Sequence, residues 1–330
     1  MGTLLKGGSR PNPVLFVVAF LALISLFGTW DLLVRNGYDE KIPGGDAQFD
    51  SEDPFRNTGG DRHSNQGDNI YPWEASTQEF PEPLPPPPPA DEYTAVLTEN
   101  DPARVANLAP IVLHFASVLG PKWPITFVTL EEKYKNWTAP PAFRRLVDNK
   151  QIRIHYLPPG TEFPSHESVS LFLSGPWLWE QFTQYKRILM FQVDSIVCAN
   201  SKHSVEDFVE FDLIGAPIKP GIGFGFNGGL SVRNPKMMLA ISEDLQRRKE
   251  TDPNVQSEVD YEDQWFYRKI KERGGKLPEP EIAGRFSVET HYYEKPLGYH
   301  QVQKFQQDHQ EEIDKYCPEV AMIGKGSHFR

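Results

Sequence analysis

Four groups of residues have types and spacings that could do chemistry. The first is Asp194, which follows directly on Ile188 to Val193 (ILMFQV), an apolar run broken only by Gln192. A carboxylate just past the carboxyl end of a buried strand sits where open α/β sheets place their ligands. It can hold a divalent metal, and the metal can hold a diphosphate. The plainer alternative is an Asp that caps a turn. The second group is Asn227-Gly228-Gly229 followed by Ser231 and Arg233. The glycines let backbone lie close to a ligand. Ser231 and Arg233 share a face if the segment is a strand, and Arg233 could meet a phosphate or carboxylate with its two-pronged head. Here the alternative is a hairpin turn with a surface arginine.

The third group is Glu262-Asp263, with Trp265 close behind. Acids favour the first turn of a helix through its dipole, which is reason enough for them to stand there. Either acid could also act as a general base towards a hydroxyl, and Trp265 offers a flat face of the sort on which sugar rings stack. The fourth is His300, after Pro296-Leu-Gly-Tyr299, a candidate metal ligand or a hydrogen-bonded surface histidine.

These residues need elements to position them. The run 187–193 reads as a central strand covered on both faces. Residues 105–119 have helical apolar spacing, 124–130 and 151–157 read as strands, and 141–149 as a helix with proline in its first turn. A helix is expected over 177–185, a strand over 211–216, and helices over 235–249 and 261–273, the last closed by Gly274-Gly275. Alternating strands and helices imply an α/β domain with a mostly parallel twisted sheet flanked by helices.

The chain has 330 residues and a net charge of −11. Residues 36–105 hold 15 acids against 4 bases, so the acidity belongs to that segment and the remaining parts roughly cancel. It shows no hydrophobic period and carries seven prolines between Pro81 and Pro89. That reads as a disordered, proline-rich stem over 35–105, stiffened by polyproline II. No basic block suggests nucleic acid.

Residues 14–30 (VLFVVAFLALISLFGTW) hold no charge, and 14–34 would span roughly 30 Å as a helix. Lys6 and Arg10 precede the stretch and Asp31, Asp39 and Glu40 follow it, which puts residues 1–13 in the cytosol and the chain after 34 outside or in a lumen. The expected order is a cytosolic tail, a signal anchor at 14–34, the stem, and a lumenal domain over 106–330. Cys198 and Cys317 could pair or stay apart as buried thiols, and Asn136-Trp-Thr138 is a glycosylation sequon.

Taken in order, the four groups resemble nucleotide-sugar glycosyltransferases of the A-type, Rossmann-like fold. More closely, Phe191–Ser195 (FQVDS), Asp212–Pro217 (DLIGAP), Asn227–Arg233 (NGGLSVR) and Glu262-Asp263 are similar to a fungal family labelled a domain of unknown function and regarded as glycosyltransferase-like. The resemblance spans roughly residues 106–300, and an N-terminal anchor with a proline-rich stem is similar to Golgi type II transferases.

The resemblance implies roles. Asp194 and His300 would hold a divalent metal, expected to be Mn2+. Gln192, Asn227, Gly228, Gly229, Ser231, Arg233 and Trp265 would bind substrate. Asp263, or Glu262, would be the base in an inverting transfer. The implied partners are a nucleotide sugar, a glycan or glycoprotein acceptor, and the membrane through residues 14–34. One departure stands out: A-type enzymes usually carry Asp-x-Asp at the strand end, and here Gln192 replaces the first acid. An amide oxygen still coordinates such metals, with less charge. Gln192 also motivates a second reading, a membrane-tethered carbohydrate-binding or scaffold protein that kept the fold without the chemistry. A membrane-anchored metal hydrolase ranks last, because it would want more His and Asp ligands.

Overall fold

The run expected at the centre of a sheet becomes an internal strand of a six-stranded one. The structure is a computed structural model that describes residues 92–323. The cytosolic tail, the expected span over 14–34 and most of the stem lie outside the described residues. Among the described residues no helix is long and apolar enough to cross a membrane.

In chain order the elements are β1 (Tyr93–Thr98), α1 (Leu108–Leu119), β2 (Ile125–Thr129), α2 (Glu131–Asn136), α3 (Pro141–Asp148), β3 (Ile152–Tyr156), α4 (His166–Ser174), α5 (Trp177–Glu180) and β4 (Arg187–Phe191). There follow β5 (Ser195–Val197), β6 (Leu213–Pro217), β7 (Phe226–Arg233), α6 (Pro235–Thr251), α7 (Glu262–Glu272), α8 (Pro280–Phe286), β8 (Ser287–Val288), β9 (Gly298–His300), α9 (Val302–Phe305) and α10 (Gln310–Tyr316). The large sheet runs β3-β2-β1-β4-β7-β6. β1, β2, β3 and β4 run parallel to one another, while β7 is antiparallel to both β4 and β6. The sheet is therefore mostly parallel, as expected, with β7 the one strand that runs against the rest. Residues 226–233, expected only as a turn with a possible strand, provide the antiparallel member.

Two boundaries differ from expectation. The folded domain starts before residue 106, because Tyr93–Thr98 pairs with both β2 and β4. The helix expected over 177–185 is a single turn, Trp177–Glu180, that gives way to tight turns. Trp179 in this turn is buried, and its indole N–H donates to the Leu173 carbonyl at 2.8 Å.

A three-stranded sheet, β5-β9-β8, lies next in sequence to β4 and carries part of the site. Its register sets Ser195 opposite His300. A Cys198–Cys317 disulfide, which the sequence left open, ties the end of β5 to the end of α10 across 119 residues. Closing a loop of that length removes denatured-state entropy worth about 4.7 kcal/mol in the chain-entropy description. Reduction, or replacement of both cysteines by alanine, is expected to lower unfolding free energy by about 2–5 kcal/mol. Urea denaturation with and without reductant measures it, and unchanged stability would show that the crosslink contributes nothing. Asn136 is exposed at the end of α2, so a glycan there would meet no packing.

Candidate functional site

The site is assembled where β7 bulges. Next to each other on β6, Gly215 pairs with Ser231 and Ala216 with Asn227, so Gly228, Gly229 and Leu230 have no partner on β6, while Leu230 stays opposite Phe191 of β4. Asn227 shapes the bulge by accepting the Gly229 N–H on its own side-chain oxygen at 2.8 Å. Bulges of this kind re-aim backbone beside functional sites. The displaced Gly229 carbonyl accepts from the Gln192 N–H at 2.9 Å and from the Ser195 hydroxyl at 2.7 Å. The turn that carries Gln192 and Asp194 off the end of β4 is thus fastened to the bulge.

Asp194 and His300, far apart in sequence, meet there. His300 Nε2 lies 3.2 Å from Asp194 Oδ1 and 3.1 Å from Gln192 Oε1. On the other side of the ring, Nδ1 lies 3.0 Å from Glu289 Oε1. Burial opposes a charge on this imidazole, but Asp194 and then Glu289 outweigh it and push its pKa up to about 10. The two acids thus favour the imidazolium form, in which both ring nitrogens carry a proton. Gln301 holds Asp194 from behind: its backbone N–H and its side-chain amide each reach Asp194, at 3.0 Å. It does so from a left-handed φ of 45°, a cost that a non-glycine residue bears only where the surroundings impose it.

A divalent cation is tested by this donor set. Among the described residues no group of three or more His, Cys, Asp or Glu is placed to hold one. Glu289 is on the far nitrogen and can only orient the ring. The third donor is Gln192. Its amide oxygen and the Asp194 carboxylate oxygen each stand about 3 Å from His300 Nε2, the spacing of adjacent ligands around an octahedral cation with bonds of about 2.1 Å. Two oxygens and one imidazole nitrogen suit Mn2+ chemically. The set fits, with the cation taking the place of the Nε2 proton.

The acids of α7 divide their work. Both oxygens of Glu262 are occupied by Arg233, Nη1 to Oε2 at 2.9 Å and Nη2 to Oε1 at 3.1 Å. Asp263 is partly buried and accepts the Gly228 N–H at 2.9 Å and the Gln264 N–H at 2.7 Å. Desolvation, then the neighbouring Glu262, raise its pKa to about 7 against those two N–H groups and Arg233. Of the two candidate bases, Asp263 is the one with a carboxylate not committed to an ion pair.

Three expected substrate contacts are placed elsewhere. Arg233 is fully buried, its guanidinium over the rings of Trp179 and Phe266, and it meets Glu262 instead of a ligand. Ser231 is buried too, donating to the Gly228 carbonyl at 2.9 Å. Trp265 packs its ring on Phe266 and is 2% exposed, so it offers no face to a sugar.

A cavity of about 630 Å³ opens at the carboxyl ends of β1, β2 and β4, a volume suited to a small organic ligand. Gln192, Gly228 and Glu262 line it, and Gln192 belongs to both the cavity wall and the His300 cluster. The cavity is also lined by residues that the sequence did not single out: Thr98 at the end of β1, and Glu99, Asn100, Asp101 and Arg104 after it. Only recognition of β1 as a strand could have pointed to them. Glu289 and Gln301 were missed as well, and neither has a local pattern that marks it.

Several solved structures that this chain matches loosely are glycosyltransferases. The apo form of glycosyltransferase GlyE from Streptococcus pneumoniae TIGR4 is 14% identical over 63% of this chain and 54% of its own, with a TM-score of 0.38. This chain thus spans about half the length of GlyE. Galactosyltransferase LgtC, solved with donor and acceptor sugar analogs, is 15% identical over 71% of this chain and 98% of its own, with a TM-score of 0.40. A glycosyltransferase involved in glycosylation of the major capsid of PBCV-1 is 14% identical over 68% and 99%, with a TM-score of 0.38. Likeness at this level says nothing of reaction, donor or acceptor. Among curated proteins none matches the chain in sequence. Residues 151–300, from β3 to the end of β9 and so including Gln192, Asp194, the bulge, Asp263 and His300, match the family described as Protein of unknown function (DUF5672), and this is the family of unknown function that the motifs resemble.

Proposed function

We propose that this protein is a glycosyltransferase that moves a sugar from a nucleotide sugar to an acceptor hydroxyl. The observation that carries the reading is the meeting of Gln192, Asp194 and His300 beside the cavity at the strand ends. Those three residues would hold a divalent cation, which when bound supplies positive charge to a leaving diphosphate. The cavity receives the nucleotide sugar, with Gln192, Gly228 and Glu262 in its wall. Asp263 takes the proton of the acceptor hydroxyl as the acceptor oxygen bonds to the anomeric carbon and the bond to the diphosphate breaks. With its pKa near 7, Asp263 is ionised above neutrality, so turnover rises with pH through that value.

The secretory pathway, with the domain lumenal and the membrane as a tether through residues 14–34, is part of the same proposal. It is supported by the charge asymmetry around that stretch and by the disulfide, which persists in oxidising compartments.

The test is a thermal-shift series on the full-length protein with nucleotides and nucleotide sugars, with and without manganese, beside Asp194→Ala. A ligand at 100 times its Kd adds about 2.7 kcal/mol. Stabilisation by one nucleotide class that Asp194→Ala removes is the expected result. Silence from a folded protein sinks the transferase reading. Glycan binding indifferent to nucleotide and metal favours the carbohydrate-binding alternative, which Gln192 motivates.

A further inference from the structure

The Arg233–Glu262 pair is larger than a helix needs. Arg233 is fully buried and uses its whole head: Nε donates to Ser231 Oγ at 3.0 Å, both terminal nitrogens reach Glu262, and Nη2 also lies 3.4 Å from the Gly228 carbonyl. Ser231 Oγ donates to that same carbonyl at 2.9 Å. The other side of this peptide segment, the Gly228 N–H, points at Asp263 Oδ2. One residue of bulge backbone is therefore gripped from two sides, by the pair and by Asp263. No side chain fits between them, since a Cβ on Gly228 would stand 2.3 Å from Arg233 Nη2, 2.9 Å from Glu262 Oε1 and 3.1 Å from Asp263 Cβ.

We propose that Arg233 and Glu262 are positioning residues for Asp263, fastening the β7 bulge to the first turn of α7 so that the Gly228 N–H fixes the Asp263 carboxylate. Arg233 is fully buried, and Glu262, although it stands in the cavity wall, has both carboxylate oxygens held by Arg233. The inference rests on the transferase reading for its purpose, but its geometry does not. Two charges face Asp263 closely, Glu262 from its own helix and Arg233 from β7. From α4, His166 lies tilted against Tyr261 with ring centroids 5.0 Å apart. The α6 charges Asp244 and Arg248 meet Arg273 and Glu258, and Glu258 in turn meets Lys269, further along α7.

The two halves of the pair act on Asp263 with opposite sign, and this makes the proposal testable without an activity assay. Asp263 binds its proton more tightly folded than unfolded, so it contributes stability below about pH 4 that is lost as pH rises through about 7. The difference in unfolding free energy between the full-length protein and its Asp263→Asn variant, followed against pH, reports that midpoint. Glu262→Gln removes the neighbouring negative charge and is expected to lower the midpoint by about one to three units. Arg233→Lys keeps the charge but loses the fork, so Gly228 slackens and the midpoint rises. Each variant is compared with its own Asp263→Asn double. Shifts in opposite directions establish the positioning role. Loss of stability that is uniform with pH, with the midpoint unmoved in whichever variant folds, would make the pair a structural ion pair and overturn the proposal. Failure of the protein to bind any nucleotide would sink the transferase reading and leave this midpoint unaffected.

Discussion

A chain that begins at residue 106 is expected not to fold, and one that keeps residues from 92 onward is expected to fold. Residues 93–98 are not the end of a stem but the strand between β2 and β4, paired to both over four residues each. Ala95, Val96 and Leu97 are at most 1% exposed, and Tyr93 stacks on Trp123 with centroids 4.7 Å apart. Thr94 donates to the Pro124 carbonyl at 2.7 Å, tying the strand to the start of β2. Burying Tyr93, Val96 and Leu97 contributes about 1.5–3 kcal/mol each. Their loss approaches the whole net stability of a domain, about 5–15 kcal/mol, before counting the exposed edges of β2 and β4. Far-UV circular dichroism with urea titration of the two chains decides the matter. A cooperative transition from the shorter chain would show that β1 is dispensable.

The same strand shows what is legible in a sequence and what is not. Strand β4 and the acid after it could be read because five apolar residues, interrupted only by Gln192, lead up to a charge. β1 has a run just as good, Thr94-Ala-Val-Leu97, but it is short, follows the prolines, and precedes Glu99 and Asp101. Averaged over a window, it takes on the composition of its surroundings. The helix α7 was legible as an element, and its phase held more than was used. Glu262, Trp265, Phe266 and Ile270 occupy one buried face, while Asp263 stands off it. That phase places Trp265 in the core. What no spacing could give is the partner of Arg233, 29 residues away across two elements, or the partner of His300, Asp194, across 106. Buried ion pairs and shared ligand sets follow from topology, here from a bulge and a three-stranded sheet that the apolar pattern does not announce.

Gly229→Ala is expected to abolish stabilisation by nucleotide and manganese while leaving the domain folded. The added Cβ would lie 2.2 Å from His300 Nε2 and 2.5 Å from both ring carbons beside it. The ring has no room to retreat: it is 2% exposed, Glu289 holds its far nitrogen, and β9 is paired to β5 on one side and β8 on the other. Nor can the bulge move outward without releasing Gln192 and Ser195, which both donate to the Gly229 carbonyl. Either movement separates the three donors that meet at His300 Nε2. Overpacking of this kind costs about 1–3 kcal/mol, tolerable for a domain of ordinary stability, so the loss falls on the site rather than on the fold. Two readouts separate the effects. Denaturant titration gives the fold, and thermal shift with manganese plus the responding nucleotide gives the site. Histidine NMR resonances should show the His300 ring displaced in the variant. A folded Gly229→Ala protein that keeps the full ligand shift would mean that the contact between bulge and imidazole has no part in binding, and that the cavity works without the cluster beside it.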